Sequence, residues 1–167
     1  CLACTGRSGE APLDLGGTPA ARFDGERAFS DLRELGEIGE RSAGSPGAAK
    51  TRALIRERLG QAGQHRPRGR LVWAHAASVG ESLSLLPLIG RLLEDRPELH
   101  ALVTTGTVTS ARLMAERLPV GAVHQYVPVD RVAYVRRFLD HWRPELVLWA
   151  ESEFWPNLVS QTAARGV

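Results

Sequence analysis

The apolar positions of the chain fall into two regimes. From Phe23 to Ala62 they recur at helical spacing. Phe29, Leu32, Leu35 and Ile38 form one stripe, and Leu54, Ile55 and Leu59 form a second. The stretch Ser42 to Gly47 between them, rich in Gly, Ser and Pro, reads as a loop. Beyond Arg70, short apolar runs alternate with amphipathic ones. Strands are expected at Leu71–His75, Leu99–Thr105, Ala122–Val127 and Glu145–Ala150. Helices are expected at Ser82–Leu93, Thr109–Leu118, Arg131–Trp142 and Phe154–Arg165. Gly166 reads as a helix cap and Val167 as the first residue of a fifth strand.

Strands separated by helices imply a parallel sheet with right-handed crossovers, an α/β Rossmann-like layer. The expected organisation is a disordered leader over 1–21, a helical segment over 22–64, a linker over 65–69 and the α/β domain over 70–167. Ligands of such sheets bind beyond the carboxyl ends of the strands. Four turns fall there: His75 to Glu81, Thr104 to Thr109, Pro128 to Asp130 and Glu151 to Asn157.

Composition narrows the class without choosing a function. The 167 residues are 43% hydrophobic and 24% charged, as in a soluble globular protein. A formal charge of +2 and no run of basic residues argue against nucleic acid as a partner. No apolar stretch reaches the roughly 18–20 residues of a membrane span. Cys1 and Cys4 lie at the extreme start, where they cannot staple a core, and two thiols alone make a poor metal site. The opening CLAC is similar to the end of a bacterial lipoprotein signal. It supports an alternative reading as a membrane-tethered lipoprotein fragment without catalytic function, anchored on the periplasmic side.

The turns carry the candidate chemistry. Ser78-Val79-Gly80-Glu81 matches a capping box, in which Ser78 accepts from the Glu81 N–H and the carboxylate reaches back to the Ser78 N–H. Glu81 also lies where a helix dipole keeps a carboxylate ionised, so it could accept a proton from a hydroxyl. The two roles compete. Gly80 removes a side chain where something could come close. Thr104-Thr105-Gly106-Thr107 offers either hydroxyls and N–H groups for a ligand or a Thr-rich N-cap. Glu151 and Glu153 stand at the end of the fourth strand, before Phe154-Trp155-Pro156-Asn157. Paired carboxylates could hold sugar hydroxyls or orient a base. His124 and His141 read as structural or surface histidines.

Together these turns resemble one family. WxHxxSVGE (Trp73 to Glu81), TTxTxTS (Thr104 to Ser110), PxDxxxxVxRFLxxWxP (Pro128 to Pro144) and ESExWPN (Glu151 to Asn157) stand in the order and spacing of the N-terminal domain of bacterial 3-deoxy-D-manno-octulosonic acid (Kdo) transferases. The resemblance covers about residues 70–167 and implies an inverting GT-B glycosyltransferase of lipopolysaccharide assembly. It implies no metal and no cofactor. The donor substrate would be CMP-Kdo, bound through a C-terminal domain missing here, so that the chain alone would be inactive. The acceptor would be a lipid A precursor, with peripheral membrane contact at the cytoplasmic face of the inner membrane. The resemblance makes Glu81 the general base and Glu153 a second catalytic acid residue, with Glu151 the other candidate. Ser78, Gly80, Thr104, Thr105 and Asn157 would shape the acceptor or cleft side. Residues 22–64 instead resemble the opening helices of the zinc aminopeptidase and glutaminyl cyclase family, without any of its metal ligands.

Overall fold

The computed structural model describes residues 32, 33, 36, 38–150 and 154–167. The expected leader and its two cysteines lie outside them. The order of elements is α1 (Pro46–Arg58), β1 (Arg70–Ala76), α2 (Val79–Asp95), β2 (Leu99–Thr105), α3 (Val108–Arg117), β3 (Ala122–Tyr126), α4 (Val132–Trp142), β4 (Leu146–Trp149) and α5 (Pro156–Ala163). The sheet is parallel throughout, in the order β3-β2-β1-β4. The α/β expectation therefore holds, with shifted boundaries. Helix α2 begins three residues before the expected Ser82, because Ser78 is its N-cap and the helix follows it at once. Val167 pairs with no strand.

Strand alternation divides the buried side chains between the two sheet faces. Leu71, Trp73 and Leu102 meet Val135, Phe138, Leu139 and Trp142 of α4 and Leu158 of α5. Ala74, Ala76, Ala101 and Val103 meet Leu85 and Ile89 of α2 and Met114 of α3. The apolar stripe of α4 inferred from the sequence is fully buried at Val135, Phe138, Leu139 and Trp142.

The segment before β1 is hydrogen-bonded to the α/β layer. Helix α1 starts inside the stretch expected to be a loop, with Ser45 accepting from the Ala48 N–H at 3.1 Å and Pro46 in the first turn. Its C-terminal end is fastened to β3. The Glu57 carboxylate accepts from the Tyr126 N–H at 2.8 Å, and the Arg58 carbonyl accepts from Val129 N–H at 2.9 Å. Gln64 Nε2 donates to the His124 carbonyl at 2.8 Å. Gly60 follows with φ +76°, where a Cβ would lie 2.1 Å from the Tyr134 carbonyl oxygen, so no larger residue fits there. The expected linker over 65–69 is likewise held: Arg66 donates through Nε to the Trp142 carbonyl at 2.6 Å. That bond satisfies a carbonyl at the end of α4, one of those a helix cannot satisfy internally.

Candidate active site

The carboxyl ends of the four strands bring the expected turns to one edge of the sheet. At the end of β1 the chain turns through Ala77 and Ser78 into α2. Ser78 is extended (φ −114°, ψ 169°), and its Oγ accepts from the Glu81 N–H at 3.3 Å. Glu81 reaches back one residue further than a capping box requires: its Oε2 accepts from the Ala77 N–H at 2.7 Å. Ser82 Oγ donates to the Ser78 carbonyl at 2.7 Å. Burial raises the Glu81 pKa, but the hydrogen bonds from Ser78 and Ala77 and the proximity of His75 outweigh it. They hold the carboxyl below the ordinary value of 4.5. Glu81 is thus an anion at neutral pH, half-buried beside the exposed Ser78 and Gly80. Among the described residues nothing crowds Gly80: a Cβ there would meet only Ser78 Oγ, at 4.0 Å.

Thr104 and Thr105 lie beneath this edge rather than on it, both with 0% exposure. The Thr104 hydroxyl accepts from Trp73 Nε1 at 2.8 Å and stands 2.9 Å from His75 Nδ1. Thr105 Oγ1 is 2.8 Å from His124 Nε2. Burial lowers both histidines to a pKa of about 4, so each is neutral at pH 7. The contribution of these threonines to a ligand surface is therefore indirect, through the histidines they hold. The cap of α3 is Thr107, whose Oγ1 accepts from the Ser110 N–H at 3.0 Å. Gly106 brings the second turn against the first, since a Cβ there would lie 3.4 Å from the Ala77 carbonyl oxygen.

The third turn reaches across to α5. Asp130 accepts through Oδ2 from the Asn157 N–H at 3.1 Å and through Oδ1 from the Leu158 N–H at 2.7 Å. The Asn157 side chain, expected to face the cleft, donates to the Asp130 carbonyl at 2.9 Å and to Oδ2 at 3.2 Å. It works as a tie between turns. Arg58 binds the second and third turns together, donating to the Gly106 carbonyl and, at 3.3 Å, to the Val127 carbonyl. Its guanidinium carbon lies 5.8 Å from the Tyr126 ring centroid. The expected catalytic Glu153 and its neighbour Glu151 lie outside the described residues. Among the described residues no cluster of three or more His, Cys, Asp or Glu side chains could hold a metal ion.

Sequence reasoning missed Arg58, Asp130 and the burial of His75. Asp130 stood in a quoted motif, but its partners lie 27 and 28 residues away. Nothing local to Arg58 marked it.

The chain is similar to known proteins over the region that contains this edge. The family model described as 3-deoxy-D-manno-octulosonic-acid transferase (kdotransferase) matches residues 53–167. A protein of Arabidopsis thaliana named "Probable 3-deoxy-D-manno-octulosonic acid transferase, mitochondrial" is 41% identical over 103 residues, covering 62% of this chain and 23% of its own length. The 3-deoxy-D-manno-octulosonic acid transferase of Rickettsia felis is 43% identical over 93 residues, 56% of this chain and 20% of its own. That of Haemophilus influenzae is 34% identical over 131 residues, 78% of this chain and 30% of its own. The chain thus spans 20% to 30% of the length of these relatives. The matched region begins inside α1, within the segment compared above with zinc aminopeptidases. Neither that second resemblance nor the lipoprotein reading finds support.

Proposed function

The chain belongs to the 3-deoxy-D-manno-octulosonic-acid transferase family, and on that premise we propose that it is the acceptor-binding part of an inverting GT-B glycosyltransferase. The acceptor is a lipid A precursor, the donor CMP-Kdo. Glu81 takes the proton from the acceptor hydroxyl as its oxygen attacks the anomeric carbon of Kdo. The new C–O bond forms as the bond to the CMP phosphate breaks, and CMP leaves with the electron pair. Glu153, or Glu151 beside it, supplies the second acidic group.

The observation that carries this reading is the state of Glu81. It is an ionised carboxylate at the carboxyl edge of a parallel sheet, at the start of α2, beside an uncrowded glycine. Capping and base catalysis are compatible, because a carboxylate offers about four lone-pair sites and the Ala77 N–H takes one. An acceptor seated over the turn would add to the burial that already raises this pKa, moving the group toward the range of an effective base.

No helix among the described residues is long and apolar enough to cross a membrane. In this proposal the chain meets the acceptor's lipid surface peripherally, at the cytoplasmic face of the bacterial inner membrane. Assayed alone, the 167-residue chain, which spans 20% to 30% of the length of its relatives, should show no transfer. The deciding experiment places Glu81→Gln in a version as long as the relatives. Glutamine can still accept from the Ala77 N–H, so the fold should persist while transfer falls at least ~100-fold. Near-parental transfer with an intact fold would return Glu81 to a purely structural role.

A further inference from the structure

The side-chain nitrogens that are buried without a partner among the described residues are His75 Nε2, Gln125 Nε2 and Trp149 Nε1. All three lie in one row across the sheet. Trp149 on β4 pairs in register with His75 on β1, His75 with Thr104 on β2, and Thr104 with Gln125 on β3. His75 is 2% exposed and Gln125 1% exposed.

Three tryptophans fix the polarity of this row, because an indole N–H can only donate. Trp142 Nε1 donates to Gln125 Oε1 at 2.6 Å, which settles the amide orientation and makes Gln125 Nε2 a donor. Trp73 Nε1 donates to Thr104 Oγ1 at 2.8 Å. The Thr104 hydroxyl keeps a hydrogen of its own, which it can give to His75 Nδ1, 2.9 Å away. An imidazole that accepts there carries its proton at Nε2 when neutral. In that arrangement every unpartnered atom in the row is a donor.

His75 and Trp149 are neighbours in this row. Their rings meet edge to face with centroids 5.9 Å apart. Two buried donors without an acceptor among the described residues are costly, and the usual remedy is an internal water. Both atoms are shielded from solvent, which suits a small internal acceptor better than a surface ligand.

We propose that His75, locked by Thr104 as the Nε2–H tautomer, forms with Trp149 a two-donor site for one internal water, and that this fixed imidazole is a positioning residue for Glu81. The path is short: Ala77, whose N–H holds the Glu81 carboxylate, lies two residues beyond His75 on the same strand end. Only the link to catalysis rests on the reading of Glu81 as base. The tautomer and the water are measured without turnover, so the two readings fail separately.

The test is nitrogen NMR on the labelled 167-residue chain near neutral pH, with water-to-protein cross-relaxation at the indole protons. The expected result is a His75 ring protonated at Nε2 and accepting at Nδ1, with Trp149 Nε1–H in contact with a long-lived water. Thr104→Val should release the tautomer and speed exchange of the Ala77 amide proton, and Thr104→Ser should keep both as in the parent. Trp149→Phe should abolish the water contact and lower the melting temperature. A parental His75 protonated at Nδ1, or a Trp149 Nε1–H without a water contact, overturns the site. So does a Trp149→Phe chain that melts at or above the parent. A parental Ala77 exchange rate in Thr104→Val overturns the positioning role.

Discussion

Under α4 and α5 the sheet presents Trp73, His75, Thr104, Gln125 and Trp149; under α2 and α3 it presents Ala74, Ala76, Ala101 and Val103. Both faces are covered, but one is aromatic and polar and the other small and aliphatic. Thr104 and Thr105 make the contrast sharp. Adjacent in the chain, they point to opposite faces, and each meets a neutral histidine with its hydroxyl, His75 buried and His124 half-buried. His124 on the aliphatic face spends Nε2 on Thr105, whereas His75 on the aromatic face keeps Nε2 unpartnered beside Trp149. The same pair of residue types thus closes a hydrogen bond on one face and leaves a donor over on the other. Surroundings, not the pair, decide which histidine is available for a further role.

The largest effect that would test this contrast is acid destabilisation. Each histidine has a folded pKa of about 4 against an ordinary 6.5. Between these values the unfolded chain binds the extra proton, so stability is full above about pH 6.5 and falls as the pH drops toward 4. The loss is of order 3 kcal/mol per histidine. Glu81, whose pKa is lowered, loses its contribution in the same direction below about 4.5; Glu57, raised by burial, works the opposite way. Urea unfolding at pH 7 and about pH 4.5 measures the sum, and His75→Gln and His124→Gln should each flatten the profile. A flat parental profile would mean that both imidazoles are charged when folded.

Next in size is Asp130→Ala, which unseats α5 from the aromatic face. Two backbone N–H groups and the Asn157 side chain lose a charged acceptor, and about 2–4 kcal/mol should disappear in denaturant melts. Thr104→Val should then cost about 2 kcal/mol, stranding the Trp73 N–H. Thr105→Val, which strands one imidazole nitrogen, should cost about 1 kcal/mol. Equal costs would erase the difference between the faces. Smallest is Ser78→Ala, near 0.5 kcal/mol, because its cap bond is long at 3.3 Å and exposed.

Much of this arrangement was legible in the sequence. The run Leu-Val-Trp-Ala-His between polar neighbours and the helical stripe Val135, Phe138, Leu139, Trp142 announce their elements through periodicity alone. The Ser78 to Glu81 turn was legible as a cap because its partners are local. The Asp130 clamp was not, since a helix cap supplied from 27 residues away leaves no local pattern. Nor was the depth of Thr104 and Thr105: a run of threonines at a strand end looks like a rim, and only the register of three strands shows that these hydroxyls point inward. The attachment of the first helix to β3 was not legible either. Its stripe is barely apolar, with Ile55 47% exposed, and its attachment runs through Glu57, Arg58 and Gly60.

That attachment has a consequence for anyone trimming the chain. The outer rim of β3 offers the His124 carbonyl and the Tyr126 N–H, and Gln64 and Glu57 occupy them. A version starting at Arg70 would keep every strand yet uncover that rim. Exposed strand edges template pairing with a second molecule, so the shortened protein would be folded and sticky at once, prone to self-association during purification.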